Sequence, residues 1–310
     1  MKKITLFTFS FFVLTSLALN PINSVSWNDT GHRITAAIAW DYLTPTAKSN
    51  IINILKQAPG DSDLLDMYDK NEEMAEKYFF MNAAYWPDVV RDRNKQNRYQ
   101  KYHKATWHYI GTYWKQTEEG PVNTDGLLED ENVAERIEYF RNSLADPSTP
   151  TDEKAIQIAW ILHLIGDIHN PLHNTSRVTD ETPDGDRGGN SFVLGDGYPW
   201  NLHAYWDGII DLSAPKSDET TEFDYYMTEV NKITEEHPKD DYIEFIENQD
   251  AYDWNDEGKY ITMTEVYPQD LKQNELPSKE YQERAYELAQ QAMAVAGYRM
   301  AEFLNEIFDK

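Results

Sequence analysis

Cysteine is absent from the 310 residues. The chain therefore carries no disulfide framework and no lipid-modified cysteine, and any zinc site must be built from His, Asp, Glu or backbone atoms. Basic residues are scarce as well: 28 Lys and Arg stand against 54 Asp and Glu, a formal charge of −26. A field of that sign repels polyanions and excludes a basic nucleic-acid clamp of the usual kind. A phosphate-bearing ligand has to be drawn in by a local positive centre, such as a bound metal ion. The same acidity helps to keep an exported protein soluble. Long apolar runs are missing after residue 26, so no later segment is suited to spanning a bilayer.

The first residues are of another kind. Lys2 and Lys3 precede an apolar run from Ile4 to Leu19, followed by Asn20-Pro21 and Ser24-Val25-Ser26. A basic start, a short apolar stretch and small residues before a cleavage point describe a signal peptide, residues 1–26, cut after Ser26. The run is shorter than the roughly 20 apolar residues of a spanning helix and lacks a basic stop-transfer flank, so no stable membrane insertion is expected. With 40% hydrophobic and 13% aromatic residues, the chain can fill one sizeable core.

Apolar residues recur mainly at helical spacing: Ile34, Ile38 and Tyr42; Ile51, Ile54 and Leu55; Val133, Ile137 and Phe140; Ile158, Leu162 and Ile165; Leu288, Met293, Ala296, Met300 and Leu304. Helix starts are signalled at Thr44-Pro45, at Pro150-Thr151-Asp152-Glu153 and after Pro277-Ser278. Residues 174–200, rich in Thr, Asp, Gly and Pro, read as a long loop carrying a small hairpin around Ser191 to Leu194. The expectation is an all-α fold, a single mainly helical domain over 27–310, acting as a monomer.

Three of the eight histidines fall within the stretch from His163 to His173. His163 and Asp167, four apart, share one helical face, as two ligands of one ion would. Asn170-Pro171 ends that helix, so His173 can turn toward a second ion. The spacing recurs at His203 and Asp207. Either pair alone reads equally as a helix-surface ion pair or a buried, capped histidine; two pairs with His173 point to metal. Trp27-Asn-Asp-Thr-Gly-His32 opens the expected mature chain, and Tyr85-Trp-Pro-Asp88 precedes Trp107-His108. An α-amino group has a reference pKa of about 8, so its neutral form is accessible and a metal would favour it as a donor, with its own carbonyl closing a chelate.

Together these residues resemble the zinc-dependent single-strand nuclease family (nuclease S-one/P-one), which is related in fold to bacterial zinc-dependent phospholipase C. The resemblance also takes in Arg91 behind Asp88, Trp107-His108-Tyr109, Gly166-Asp167-Ile168-His169-Asn170-Pro171-Leu172-His173, Gly188-Gly189-Asn190, and Leu202-His203 with Trp206-Asp207. It implies three zinc ions. Asp88, His108, His163 and Asp167 would hold the first; the Trp27 amine and carbonyl, His32 and a bridging Asp167 the second; His173, His203 and Asp207 the third. It further implies catalytic roles for Asp88 and Arg91, with Arg91 on phosphate, base stacking on Tyr109 and a substrate contact at Asn190. The implied substrate is single-stranded DNA and RNA, cut to 5′-nucleotides, with removal of 3′-phosphates as a companion activity. One departure concerns the substrate: where the family's nucleases place an Asp that bonds the base edge, this chain has Gly111.

Two other functions remain open at this level. A phospholipase C-like hydrolase would share the metal residues but needs an apolar rim. That branch usually has Glu where this chain has Asp207, which favours the nuclease. A non-catalytic zinc-binding protein would use the His clusters for storage and leave Arg91 unexplained. His169, two residues from Asp167, faces elsewhere on the helix and is expected to be structural.

Overall fold

The computed structural model describes residues 27–70, 74–124 and 129–310. The expected signal peptide lies outside the described residues. Twelve α-helices occur among them: α1 (Asp29–Tyr42), α2 (Pro45–Leu55), α3 (Ala75–Val89), α4 (Gln96–Tyr102), α5 (Val133–Ala145), α6 (Thr151–Ile168), α7 (Leu202–Asp207), α8 (Ile209–Ser213), α9 (Glu222–Glu236), α10 (Ile243–Glu247), α11 (Ala251–Ile261) and α12 (Lys279–Phe308). None is long and apolar enough to cross a membrane.

Local chemistry sets the helix starts. Thr44 caps α2 by accepting a hydrogen bond from Ala47 N at 3.1 Å, and Pro45 fills the first helical position where its missing N–H costs nothing. Ser278 caps α12 in the same way through Tyr281 N. Asn28 caps α1 and Asn201 caps α7, so both helices that begin beside the candidate site start on an asparagine.

Helix α6 is the axis of the molecule. It packs against α1, α2, α3, α5 and α12, and from Gln157 to Ile168 every residue is buried. A helix apolar nearly all round belongs inside a core, and the polar exceptions His163 and Asp167 mark where that core is interrupted. Helices α1 and α12 meet closely because Gly297 has no side chain: a Cβ there would lie 2.6 Å from Ile38 Cγ2 and 3.1 Å from the Thr35 carbonyl.

The sheet is small. Strands β1 (Tyr113–Thr117) and β2 (Gly120–Thr124) form an antiparallel hairpin, with Tyr113 opposite Thr124, and β3 (Ser176–Arg177) joins β1 in parallel, with Tyr113 opposite Ser176. The 174–200 segment thus carries β3 and one antiparallel bridge between Val193 and Asn201. The full hairpin lies earlier, at 113–124, where no hairpin was expected. Its burial explains why: only Trp114 in β1 is buried, and β2 has no buried residue, so the segment offers no apolar alternation to read. The pairing of β3 with β1 brings the long loop against the residues that follow His108.

Candidate metal centre

Three short elements and three long helices converge on one buried polar region. Helix α1 contributes His32, the last turn of α3 contributes Asp88, and α6 contributes His163 and Asp167. The turn Ala105–His108 supplies His108, the turn Pro171–His173 supplies His173, and α7 supplies His203 and Asp207. Every one of these eight side chains is at least nine-tenths buried. So many ionisable groups away from water require compensation.

Asp167 is the hub. Its Oδ2 lies 3.0 Å from His108 Nδ1 and 3.2 Å from His163 Nε2; its Oδ1 lies 3.4 Å from His32 Nε2 and 3.9 Å from His173 Nδ1. His163 Nε2 also stands 3.9 Å from Asp88 Oδ1, and the His163 and His32 rings stack with centroids 3.8 Å apart. Next to this group His203 Nε2 and His173 Nε2 face Asp207 at 3.4 and 3.8 Å. Three sets of donors each lie within 4.8 Å of one another: His32, Asp88 and His163; His108, His163 and Asp167; His173, His203 and Asp207.

The donors fit divalent metal. The Nδ1–H of His163 donates to Ala84 O at 2.8 Å, that of His173 to His108 O at 2.7 Å, and that of His203 to Gly188 O at 2.7 Å. Each bond places a proton on Nδ1 and turns Nε2 toward the carboxylates, the orientation a ligating histidine requires. The Nε2 atoms of His173 and His203, Asp88 Oδ2 and Asp207 Oδ2 are buried and have no hydrogen-bond partner. Cations held in these separate donor sets would satisfy them.

Electrostatics agrees. Burial, with the nearby His163 charge, pushes the His32 pKa down to about 4, and burial takes His108 down to about 3. Both are neutral, hence ligand-ready, at neutral pH. Burial raises Asp88 and Asp167, yet the Arg91 and His163 charges respectively reverse this and hold both carboxyls below the usual range. Asp207 is the exception: burial, reinforced by Asp167 and Asp88, pushes it up to about 8. Its neighbours supply too little positive charge, which a metal ion would provide.

Trp27 is buried beside this group, and the next residue fixes it there: Asn28 N donates to Asp207 O at 3.0 Å, and Asn28 Nδ2 to Asp211 Oδ2 at 2.5 Å. Above the clusters a cavity of about 320 Å³ is lined by Arg91, His108, Tyr109, Gly111, His173, Asn190 and His203, among others. Arg91 forms an ion pair with Asp88 Oδ1 at 2.9 Å and keeps a partly exposed side chain toward the opening. Asn190 donates through Nδ2 to Arg187 O, which fixes its amide at the cavity wall.

Every residue named from the sequence as ligand or substrate contact thus falls in this one region. His169 faces away: it donates from Nδ1 to Ile165 O and accepts at Nε2 from Arg299 Nη1, which is itself forked onto Glu257. His103 stacks on Tyr99 and His237 bonds Tyr242, both apart from the clusters. Three residues escaped notice. Asn170, read only as a helix stop, donates from Nδ2 to Asp207 Oδ1 at 2.9 Å and so orients that carboxylate. Gly166 leaves the room that the His32 ring fills, and Arg187 lines the cavity. The one available signal was position: Gly166 and Asn170 lie inside the motif from Gly166 to His173, and Arg187 directly precedes Gly188-Gly189-Asn190.

Buried His/Asp donor clusters on a helical scaffold, opening into a cavity with an arginine on its wall, have the make-up of a metal-dependent hydrolase site. The sequence profile of the S1/P1 Nuclease family matches residues 27–309, so the chain belongs to that family, whose members hydrolyse phosphodiester bonds. It is 24% identical over 304 residues to Nuclease S1 of Aspergillus oryzae, with 91% of each chain covered. To Endonuclease 1 of Arabidopsis thaliana it is 25% identical over 325 residues, covering 96% of this chain and 92% of the relative.

Proposed function

We propose that the mature chain begins at Trp27 after export and is a zinc-dependent nuclease cutting single-stranded DNA and RNA to 5′-nucleotides, with 3′-phosphate removal as a second activity. The observation that carries this reading is the set of three adjoining donor clusters at the floor of a cavity whose walls include Arg91 and Tyr109.

Asp88, His108, His163 and Asp167 would hold one zinc ion. The Trp27 amine and carbonyl, His32 and Asp167 would hold a second, and His173, His203 and Asp207 a third. Bound zinc supplies Lewis acidity, which acidifies water and neutralises phosphate charge. The protein's own side chains do the rest. Arg91, braced by Asp88, donates its planar fork to the phosphate oxygens as negative charge builds on them. Tyr109 offers a ring face on which any base can stack, and Asn190 holds a polar contact at the rim. Asn170 keeps Asp207 aimed at its cluster.

Zinc-loaded protein beginning at Trp27, incubated in parallel with single-stranded nucleic acid and with phosphatidylcholine, tests the reading. Release of 5′-nucleotides is expected. Lipid turnover without nucleotide release would replace it with a phospholipase C-like activity, and bound zinc without turnover of any phosphoester with a storage role.

A further inference from the structure

Arg187 differs from the rest of its loop in two ways. Its φ of 58° lies in the left-handed region, which costs a non-glycine residue about 1 kcal/mol or more. The conformation is held firmly. The Arg187 carbonyl accepts from Asn190 N at 3.3 Å and Asn190 Nδ2 at 2.9 Å, and Gly188 N donates to Ser176 Oγ at 3.0 Å. The preceding Asp186 accepts from Arg177 N at 2.9 Å and Tyr267 Oη at 2.5 Å. Two glycines follow Arg187 and would accept that backbone geometry without strain. The strain is thus carried at the position that bears a guanidinium.

That side chain is exposed at the cavity it lines, and it makes no ion pair or hydrogen bond recorded among the described residues. Tyr109 lines the same cavity. Two carboxylates, Glu129 and Asp184, share the wall, and neither forms an ion pair with Arg187 among the described residues. Gly111, also on the wall, presents no side chain.

We propose that Arg187 reads the edge of the base stacked on Tyr109 and makes the enzyme favour guanine. The proposal rests on the nuclease reading above. A guanidinium only donates, in a fixed fork. Guanine presents two adjacent acceptors, O6 and N7, that match the fork; adenine sets an amino donor beside N7 and matches half of it. Gly111 supplies no acceptor that would reward the adenine amino group instead.

The test is kcat/KM for the full set of deoxydinucleotides, measured on zinc-loaded protein and on Arg187→Gly and Arg187→Lys. Arg187→Gly suits the backbone, and its zinc content per chain verifies that Gly188 still holds His203. The guanine-over-adenine ratio is expected to fall about tenfold or more in both variants, since lysine keeps the charge but lacks the fork. An unchanged ratio in Arg187→Gly, or a ratio fully kept by Arg187→Lys, overturns the assignment; the latter would mark a contact to phosphate. If the parent protein cuts neither dinucleotides nor longer single strands, the nuclease reading itself fails, whereas an active parent with an unchanged ratio removes only the role of Arg187.

Discussion

Replacing Gly166 by Ala should damage the metal centre more than the fold. A Cβ on Gly166 would stand 2.8 Å from His32 Nδ1 and 3.2 Å from His32 Cε1. The ring has nowhere to go, being fully buried, stacked on His163 at 3.8 Å and set 3.4 Å from Asp167 Oδ1. Two effects oppose one another in the zinc-free protein. Alanine in place of a mid-helix glycine stabilises by about 0.5–1 kcal/mol. Overpacking costs about 1–3 kcal/mol, so a net loss of about 1 kcal/mol is expected. With zinc present the loss grows, because a displaced His32 weakens binding, and each hundredfold in affinity removes about 2.7 kcal/mol of ligand-linked stability. Chemical denaturation with and without zinc, alongside zinc content per chain, measures both parts. A variant more stable than its parent, with unchanged zinc content and an unchanged gap between the two denaturation curves, would show that His32 has room and refute the reasoning.

Other consequences follow from the same geometry. A residue or tag retained before Trp27 should lower zinc content and activity together, since the amine becomes an amide; equal values in extended and authentic forms would remove Trp27 from the ligand set. Because Asp207 is protonated below about pH 8, zinc must displace its proton there, so affinity at the His173, His203 and Asp207 cluster should rise with pH. His173 and His203, lowered by burial, add little to that slope. Zinc titrations at about pH 6 and about pH 8 should show tighter binding at the higher value, and a flat or inverted dependence would contradict the assigned state of Asp207. Arg91→Met should reduce kcat/KM by about 10²–10³-fold with zinc retained, whereas a change of a few-fold would place Arg91 off the phosphate.

The donor clusters were legible where spacing carries geometry. His163 with Asp167, and His203 with Asp207, sit one helical turn apart on α6 and α7, and Asn170-Pro171 marks the turn that redirects His173. The bundle was legible where apolar residues recur at helical spacing, as in α1, α2, α5, α6 and α12. Helix α3 was harder to read, since its buried residues run round the helix and Pro87 sits inside it. The hairpin at 113–124 was hidden by its exposed, polar strands. Asn170 and Gly166 act through contacts to residues distant in sequence, His32 lying far before Gly166 and Asp207 far after Asn170. Local spacing holds no record of such contacts.

The central claim is a three-ion centre completed by the amino terminus at Trp27. Elemental analysis of zinc per chain, on protein whose first residue is Trp27, tests it most directly. About three ions per chain are expected for the full donor set. A value of one or none would contradict the centre as drawn.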